Sequence, residues 1–214
     1  LIVNGCSKLL DKQPVTQVVT RTDSVSVTAA DAENLISGAY TSEIGYAYGL
    51  EFNVLDRITN GDVLSDNCYS GGDNPDNITI DLFRFNSLNG NITRDWKDAY
   101  GIIGNINLAI AQIGSCTDPA LSAARKSQML GEARFMRAFT YFDLVRLFGP
   151  VPIMLKPVDQ TNSENLIKST LIPQSSVDSV YDAILSDLWF AKANVLNDNV
   201  PPNKMIVTKG AANA

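Results

Sequence analysis

Apolar residues recur at helical spacing along most of this chain. In the stretch "TAADAENLISGAYTSEI", Thr28 stands as a helix N-cap with Asp31 three residues on, close to a capping box. Leu35, Ile36, Ala39 and Tyr40 then share one face. A second helix is predicted over about 94–113, with Trp96, Tyr100, Ile103, Asn107 and Ile110 on one stripe and Ala99, Ile102, Ile106 and Ile113 beside it. Thr117-Asp118-Pro119 offers a cap with proline at the first position of a third helix, which runs to Phe148. Ser175 and Asp178 form a capping-box pattern for a fourth, with Val177, Val180, Tyr181, Ile184 and Leu188 on its inner face. Thr208 caps a last helix of barely two turns, which is marginal in isolation, so a continuation is expected to complete it. Residues 59–93 break the pattern. They are crowded with Asn, Asp, Gly and Ser, which favour turns, and only Ile78 to Phe85 alternates enough to suggest a short strand. The expected fold is mainly α: helices of helical-pair length, one long polar loop insertion, and at most a short β-hairpin. No fixed-period repeat is present, so periodicity alone does not establish a TPR-like scaffold.

The densest segment is "GEARFMRAFTYFDLVRLFGPVPIML", residues 131–155. Leu130, Ala133, Arg137, Tyr141, Leu144 and Phe148 form one stripe, and Phe135, Met136, Phe139 and Phe142 occupy other faces. A helix apolar on most faces is buried or lies in a membrane. Arg134, Arg137, Asp143 and Arg146 interrupt every window of membrane length, at roughly 2.5–3.5 kcal/mol each near a bilayer centre. A surface-binding basic helix would put its cations on one face, whereas Arg137 sits inside the apolar stripe. The segment therefore reads as a core helix whose arginines reach acids or carbonyls of neighbours, with Asp143 and Arg146 spaced to pair. Gly149 is expected to end it in left-handed geometry, and Pro150 prevents continuation.

Composition changes the picture mainly by exclusion. The chain has 214 residues, 45% apolar and 19% charged, with a formal charge of −6. Acidity fits nucleic acid poorly. There is no histidine, which removes Ser-His-Asp and Cys-His chemistry within the chain and the commonest zinc ligand. No phosphate-binding or nucleophile-elbow pattern is present. Cys6, Cys68 and Cys116 form no C-x-x-C pair; Cys68 and Cys116 are candidates for pairing in an oxidising compartment, which sequence does not decide. Leu1-Ile2-Val3 looks like the tail of a secretory apolar segment, and Val3-Asn4-Gly5-Cys6 resembles a bacterial lipobox with Cys6 as the lipidated residue. The alternative is an internal strand with a buried cysteine.

Several stretches together carry a family resemblance. Gly131-Glu132-Ala133-Arg134-Phe135-Met136-Arg137-Ala138, Tyr141-Phe142-Asp143-Leu144-Val145-Arg146-Leu147-Phe148-Gly149 and Val151-Pro152 resemble the signature of the SusD/RagB family of outer-membrane nutrient-binding lipoproteins. Cys6 followed by Leu9-Leu10-Asp11-Lys12-Gln13-Pro14 is similar to the family's mature start. Trp96, Tyr100, Ile103 and Asn107 match its W-x-x-x-Y-x-x-I-x-x-x-N helix, and Val207-Thr208-Lys209-Gly210-Ala211-Ala212 resembles the start of a later one. The resemblance implies a TPR-like helix-pair scaffold, oligosaccharide binding at the cell surface, lipid attachment to the outer membrane through Cys6, and delivery to a partner TonB-dependent, SusC-like outer-membrane transporter. It implies no catalysis and no cofactor. It also implies a division into 1–5 (end of a signal peptide), 6–27 (tether) and 28–214 (N-terminal part of the helical domain), members being about twice this long or more.

A sugar site needs aromatic faces and polar groups that bond hydroxyls. The polar loop supplies Asn60, Asp62, Asp66, Asn67, Tyr69 and Asp73 as candidate ligand residues; the alternative is a solvated loop built of Asx turns. Asp62, Asp66, Asp73 and Asp76 do not have EF-hand spacing, so no metal is assigned. Trp96 fits core packing better than stacking on a ligand. Three functions remain in view: a glycan or other nutrient binder, peptide included; a TPR-like protein scaffold; and a two-carboxylate glycoside hydrolase, for which 23 acids are no signal.

Overall fold

A computed structural model describes residues 26–44, 51–65, 67–197 and 206–214. Its elements are α1 (Ala29–Ile44), a π-helical turn (Glu51–Leu55), the single turn α2 (Asp56–Ile58), a second π-helical turn (Thr59–Val63), α3 (Pro75–Asp81), α4 (Gly90–Ser115), α5 (Ala123–Phe148), α6 (Ser163–Thr170), α7 (Val177–Asn194) and α8 (Lys209–Asn213). Packing runs in sequence: α1 against α4, α4 against α5, α5 against α7, and α7 against α8. Each of these contacts joins one helix to the next layer, as in helix-pair solenoids. Pairing of β type among the described residues amounts to two single bridges, Pro152 with Gln174 and Leu196 with Thr208. No described helix is long and apolar enough to cross a membrane.

The caps explain where several helices start. The Thr28 backbone N–H donates to Asp31 Oδ2 (2.9 Å) and the Asp31 N–H donates back to Thr28 Oγ1 (3.1 Å), which completes the expected reciprocal box. Thr208 caps α8 as expected. Two caps differ from expectation. Helix α5 starts at Ala123 under Ser122, not under Thr117-Asp118-Pro119. Asp118 instead accepts from Ala120 N–H and, across the bundle, from Ala29 N–H at the start of α1 (2.8 Å). Helix α7 is capped by Ser176, one residue after Ser175, because its hydroxyl accepts from Ser179 N–H.

The strand expected at Ile78 to Phe85 is not formed. Residues Pro75–Asp81 are α-helical, with the Asn74 side chain accepting from Asp76 and Asn77 N–H and Pro75 at the first helical position. That Asn-Pro start outweighs the short alternation in "ITIDLFRF".

Helix α5 is the spine. Met129, Ala133, Met136, Ala138, Tyr141, Leu144 and Val145 are buried in one core with Ala99, Ile102, Ile103, Ile106 and Ile113 of α4 and Ala32, Ile36 and Ala39 of α1. Trp96 packs at the edge of this core, its ring 4.9 Å from Tyr100 and 5.2 Å from Phe148, which supports the core reading of that residue. On α7, Val180 and Ile184 face inward, whereas Tyr181 lies on the surface. Gly131 is required by close approach: a Cβ there would meet Val195 Cγ1 at 3.0 Å. Gly149 ends α5 with φ +71° and ψ −127°. Its φ is positive as expected, but its ψ places it outside the left-handed helical well, in a region that suits glycine alone.

Arg137 is 4% exposed and joins four segments. Its Nε and Nη2 donate to the two oxygens of Asp187 on α7 (2.7 and 2.9 Å), and Nη1 donates to Asn107 Oδ1 on α4 (2.7 Å) and to Leu155 O (3.1 Å). Truncation leaves the buried Asp187 without its hydrogen-bonded cation, with Arg134 approaching only to 4.0 Å. Arg137→Ala is therefore expected to lose about 3–5 kcal/mol in urea unfolding. A loss below about 1 kcal/mol would mean that the pair does not hold α5 to α7.

Candidate functional site

Clefts open around residues 51–63, between α4 and the C-terminal end of α5. Runs of π-helix are rare and concentrate at functional positions. This segment buries Phe52 and Val63 but leaves Val54, Leu55 and Ile58 exposed. Polar side chains hold it instead. Asn53 Nδ2 donates to the backbone carbonyl and the carboxylate of Glu43 on α1 (2.7 and 3.0 Å). Asp56 accepts two-pronged bonds from Arg94 on α4, the shortest 2.6 Å. Arg57 pairs with Asp143 on α5, which Arg146 also approaches at 3.7 Å. Asn60 Nδ2 donates to Asp95 Oδ2 on α4 (2.6 Å).

Two clefts adjoin this segment. One, of about 300 Å³, is lined by Phe52, Arg57, Asn60, Asp143, Arg146 and Leu147. The other, of about 380 Å³, is lined by Phe85, Asn86, Ser87, Ile92, Asp95, Leu147 and Phe148 among others. Asn60 and Leu147 belong to both walls. The acids here are perturbed. Burial pushes Glu43 up to about 7, against the Thr140 and Asn53 hydrogen bonds that lower it. Burial also raises Asp143, opposed by Arg57 and Arg146.

Of the residues singled out from sequence, Asn60 reaches the clefts, and its amide nitrogen is committed to Asp95. Asp62, Asn67 and Asp73 are exposed on the loop, and Tyr69 is 81% exposed. The Asp62 backbone carbonyl closes the loop turn by accepting from Asn67 N–H (3.1 Å). Asp66 lies outside the described residues, as does Cys6. Among the described residues no cluster of acids or thiols forms a metal site. Cys68 and Cys116 are both free thiols, Cys68 exposed and Cys116 buried with its Sγ 3.1 Å from Val27 O. Much of the loop's asparagine is spent locally: Asn74, Asn86 and Asn89 each accept from backbone N–H groups two or three residues on.

An aromatic pair stands at the end of this loop, outside the residues that the sequence singles out. Phe83 is 65% exposed and has φ +53°, the one positive value among described non-glycine residues. A bulky residue rarely adopts this conformation, at a cost of roughly 1–2 kcal/mol. Its ring lies 6.3 Å from that of Phe85, which faces the larger cleft. Both phenylalanines fall where the alternation in "ITIDLFRF" predicts strand positions. Exposed rings beside Asn86 and Ser87 combine stacking faces with hydroxyl-bonding groups.

Comparison with known proteins bears on this arrangement. The SusD-like family profile described as "Starch-binding associating with outer membrane" matches residues 8–214. SusD-like protein P2 of Formosa agariphila is 31% identical over 90% of this chain, and a SusD-like protein of Bacteroides ovatus is 25% identical over 91%. The chain spans 35% and 33% of those two relatives, respectively. Among solved structures, surface glycan-binding protein A from Bacteroides fluxus superposes with a TM-score of 0.71 at 21% identity, over 87% of this chain and 38% of its own. A laminarin-binding SusD-like protein gives 0.68 at 19%, over 86% and 38%. These two likenesses concern the fold.

Strain at Phe83 yields a prediction about stability. Asn tolerates positive φ better than Phe, so Phe83→Asn is expected to leave stability unchanged or raise it by up to about 1 kcal/mol in urea unfolding. A loss above 1 kcal/mol would show the ring to be a packing element.

Proposed function

The chain belongs to the SusD-like family, and on that premise we propose that it binds oligosaccharide at the cell surface and passes it to a partner TonB-dependent outer-membrane transporter, without catalysis. The observation that carries the binding reading is Phe83: an exposed ring on a strained backbone, next to Phe85 on the wall of a cleft. Strain of this kind persists where function maintains it. The rings serve as a stacking platform, with Asn86 and Ser87 on the same cleft wall to bond hydroxyls; Asp62, Asp66, Asn67, Tyr69 and Asp73 are proposed as ligand residues on sequence grounds. In this reading Cys6 carries the lipid that holds the protein on the outer membrane.

A protein-scaffold reading has one observation in its favour. Tyr181, Leu185 and Trp189, spaced four apart on α7, are exposed, and Trp189 is 65% accessible. That stripe would serve a protein contact, and it is compatible with a transporter partner.

Titration calorimetry of the full-length protein against laminarin and starch oligosaccharides, with chromatography of the products, tests the proposal. Saturable binding without released smaller sugars is expected, and Phe83→Ala and Phe85→Ala should each weaken it about tenfold. Turnover, or unchanged affinity in both variants, would overturn the corresponding part. For the anchor, Cys6→Ala is expected to move the protein from the membrane fraction to the soluble one; full retention in the membrane would remove Cys6 from that role.

A further inference from the structure

One buried contact behind the loop has an imbalance of charge. Asp56 and Asp95 are 3% and 1% exposed. Among the described residues, the guanidinium of Arg94 stands against Asp56: Nε donates to Oδ2 at 3.1 Å, and Nη2 to Oδ1 at 2.8 Å and to Oδ2 at 2.6 Å. Asp95 takes one neutral bond, from Asn60 Nδ2, on its Oδ2. Its Oδ1 is fully enclosed and meets no donor. Ile80, Ile92, Leu147 and Phe148 supply the apolar surroundings of the same cleft. The two carboxyls are tied to the same neighbours: Arg94, which bonds Asp56, adjoins Asp95 in α4, and Asn60, which bonds Asp95, lies one helical turn after Asp56. Two enclosed carboxylates side by side repel, and an enclosed carboxylate oxygen without a donor is costly. One proton on Asp95 relieves both faults.

We propose that Asp95 is a positioning residue, held as a neutral carboxylic acid that donates to Asp56 and, through Asn60, fixes the π-helical turn Thr59–Val63 from which the polar loop departs. Loss of that proton puts two negative charges beside the Arg94 guanidinium and loosens the turn from α4. The groups acting on Asp95 come from three elements: Asp56 of α2, Asn60 of the π-helical turn, and Arg94 of its own helix. Burial raises Asp95 most, the Asp56 hydrogen bond and charge raise it further, Asn60 and Arg94 oppose them, and the carboxyl is pushed up to about 8. The folded state thus holds a proton that the unfolded chain releases near the ordinary carboxylate range. The resulting stability is complete below that range, declines as pH rises towards about 8, and changes no further above it.

Selective ¹³C labelling of aspartate carboxyls, read by NMR across a pH titration of the full-length protein, tests this together with unfolding between pH 5 and 9. The variants are Asp95→Asn, which donates without titrating, and Asp95→Ala. One carboxyl resonance is expected to titrate far above the rest and to vanish in Asp95→Asn. Wild-type Tm should fall relative to Asp95→Asn between pH 5 and 8; that difference cancels the contribution of Glu43, which titrates in the same window. Ordinary titration of every aspartate, or an Asp95→Asn protein as unstable as Asp95→Ala, overturns the proposal; if Asp95→Ala fails to fold, the resonance in wild type and its absence in Asp95→Asn decide alone. The coupling to ligand rests on the carbohydrate reading. Laminarin oligosaccharide affinity should fall above about pH 8 in wild type, approaching tenfold per pH unit, and stay flat in Asp95→Asn. A high-titrating Asp95 in a protein with no carbohydrate affinity at any pH upholds the proton and sinks the carbohydrate reading. Affinity independent of pH overturns the coupling.

Discussion

The buried Arg137 guanidinium is the contact on which the helix layers depend. It spends its donors on a carboxylate of α7, an amide of α4 and a carbonyl of the extended chain after Gly149. Other side chains serve the same extended chain. Tyr100 donates to Pro152 O, Asn107 donates to Met154 O and Lys156 O, and the Tyr141 hydroxyl both donates to and accepts from the Met154 backbone. Residues 152–156 have one bridge and no sheet to satisfy their polar groups, so α4 and α5 provide the partners. Polar and aromatic letters inside an otherwise apolar helix stripe are there for that backbone.

This explains what was legible in the sequence. Arg137 within an apolar stripe could mean only a paired, buried cation, and its partners are an acid and a carbonyl of neighbouring segments. Local caps at Thr28 and Thr208 were readable because their partners lie three residues away. Asp118 was not, since its oxygen serves the start of α1, 89 residues earlier in the chain. The helix at Pro75–Asp81 was hidden by a period-two pattern too short to outweigh an Asn-Pro cap.

The candidate site was legible only in outline. A run of Asn, Asp and Gly marks a loop, but it does not say which amides are spent on turns. Asn74, Asn86 and Asn89 are spent in that way, while Asn53 and Asn60 brace the segment from which the loop leaves. The strained Phe83 was invisible because a positive φ leaves no mark on a phenylalanine's letter.

The braces at Asn53, Asp56, Arg57 and Asn60 all lie before Leu64, and each is met by a helix of the bundle. Burial of the segment itself contributes little beyond Phe52 and Val63. The loop therefore plugs into a socket with its own fastenings. Its exposed lettering can drift without the layers behind having to repack, so long as the buried Ile80 of α3 keeps its place.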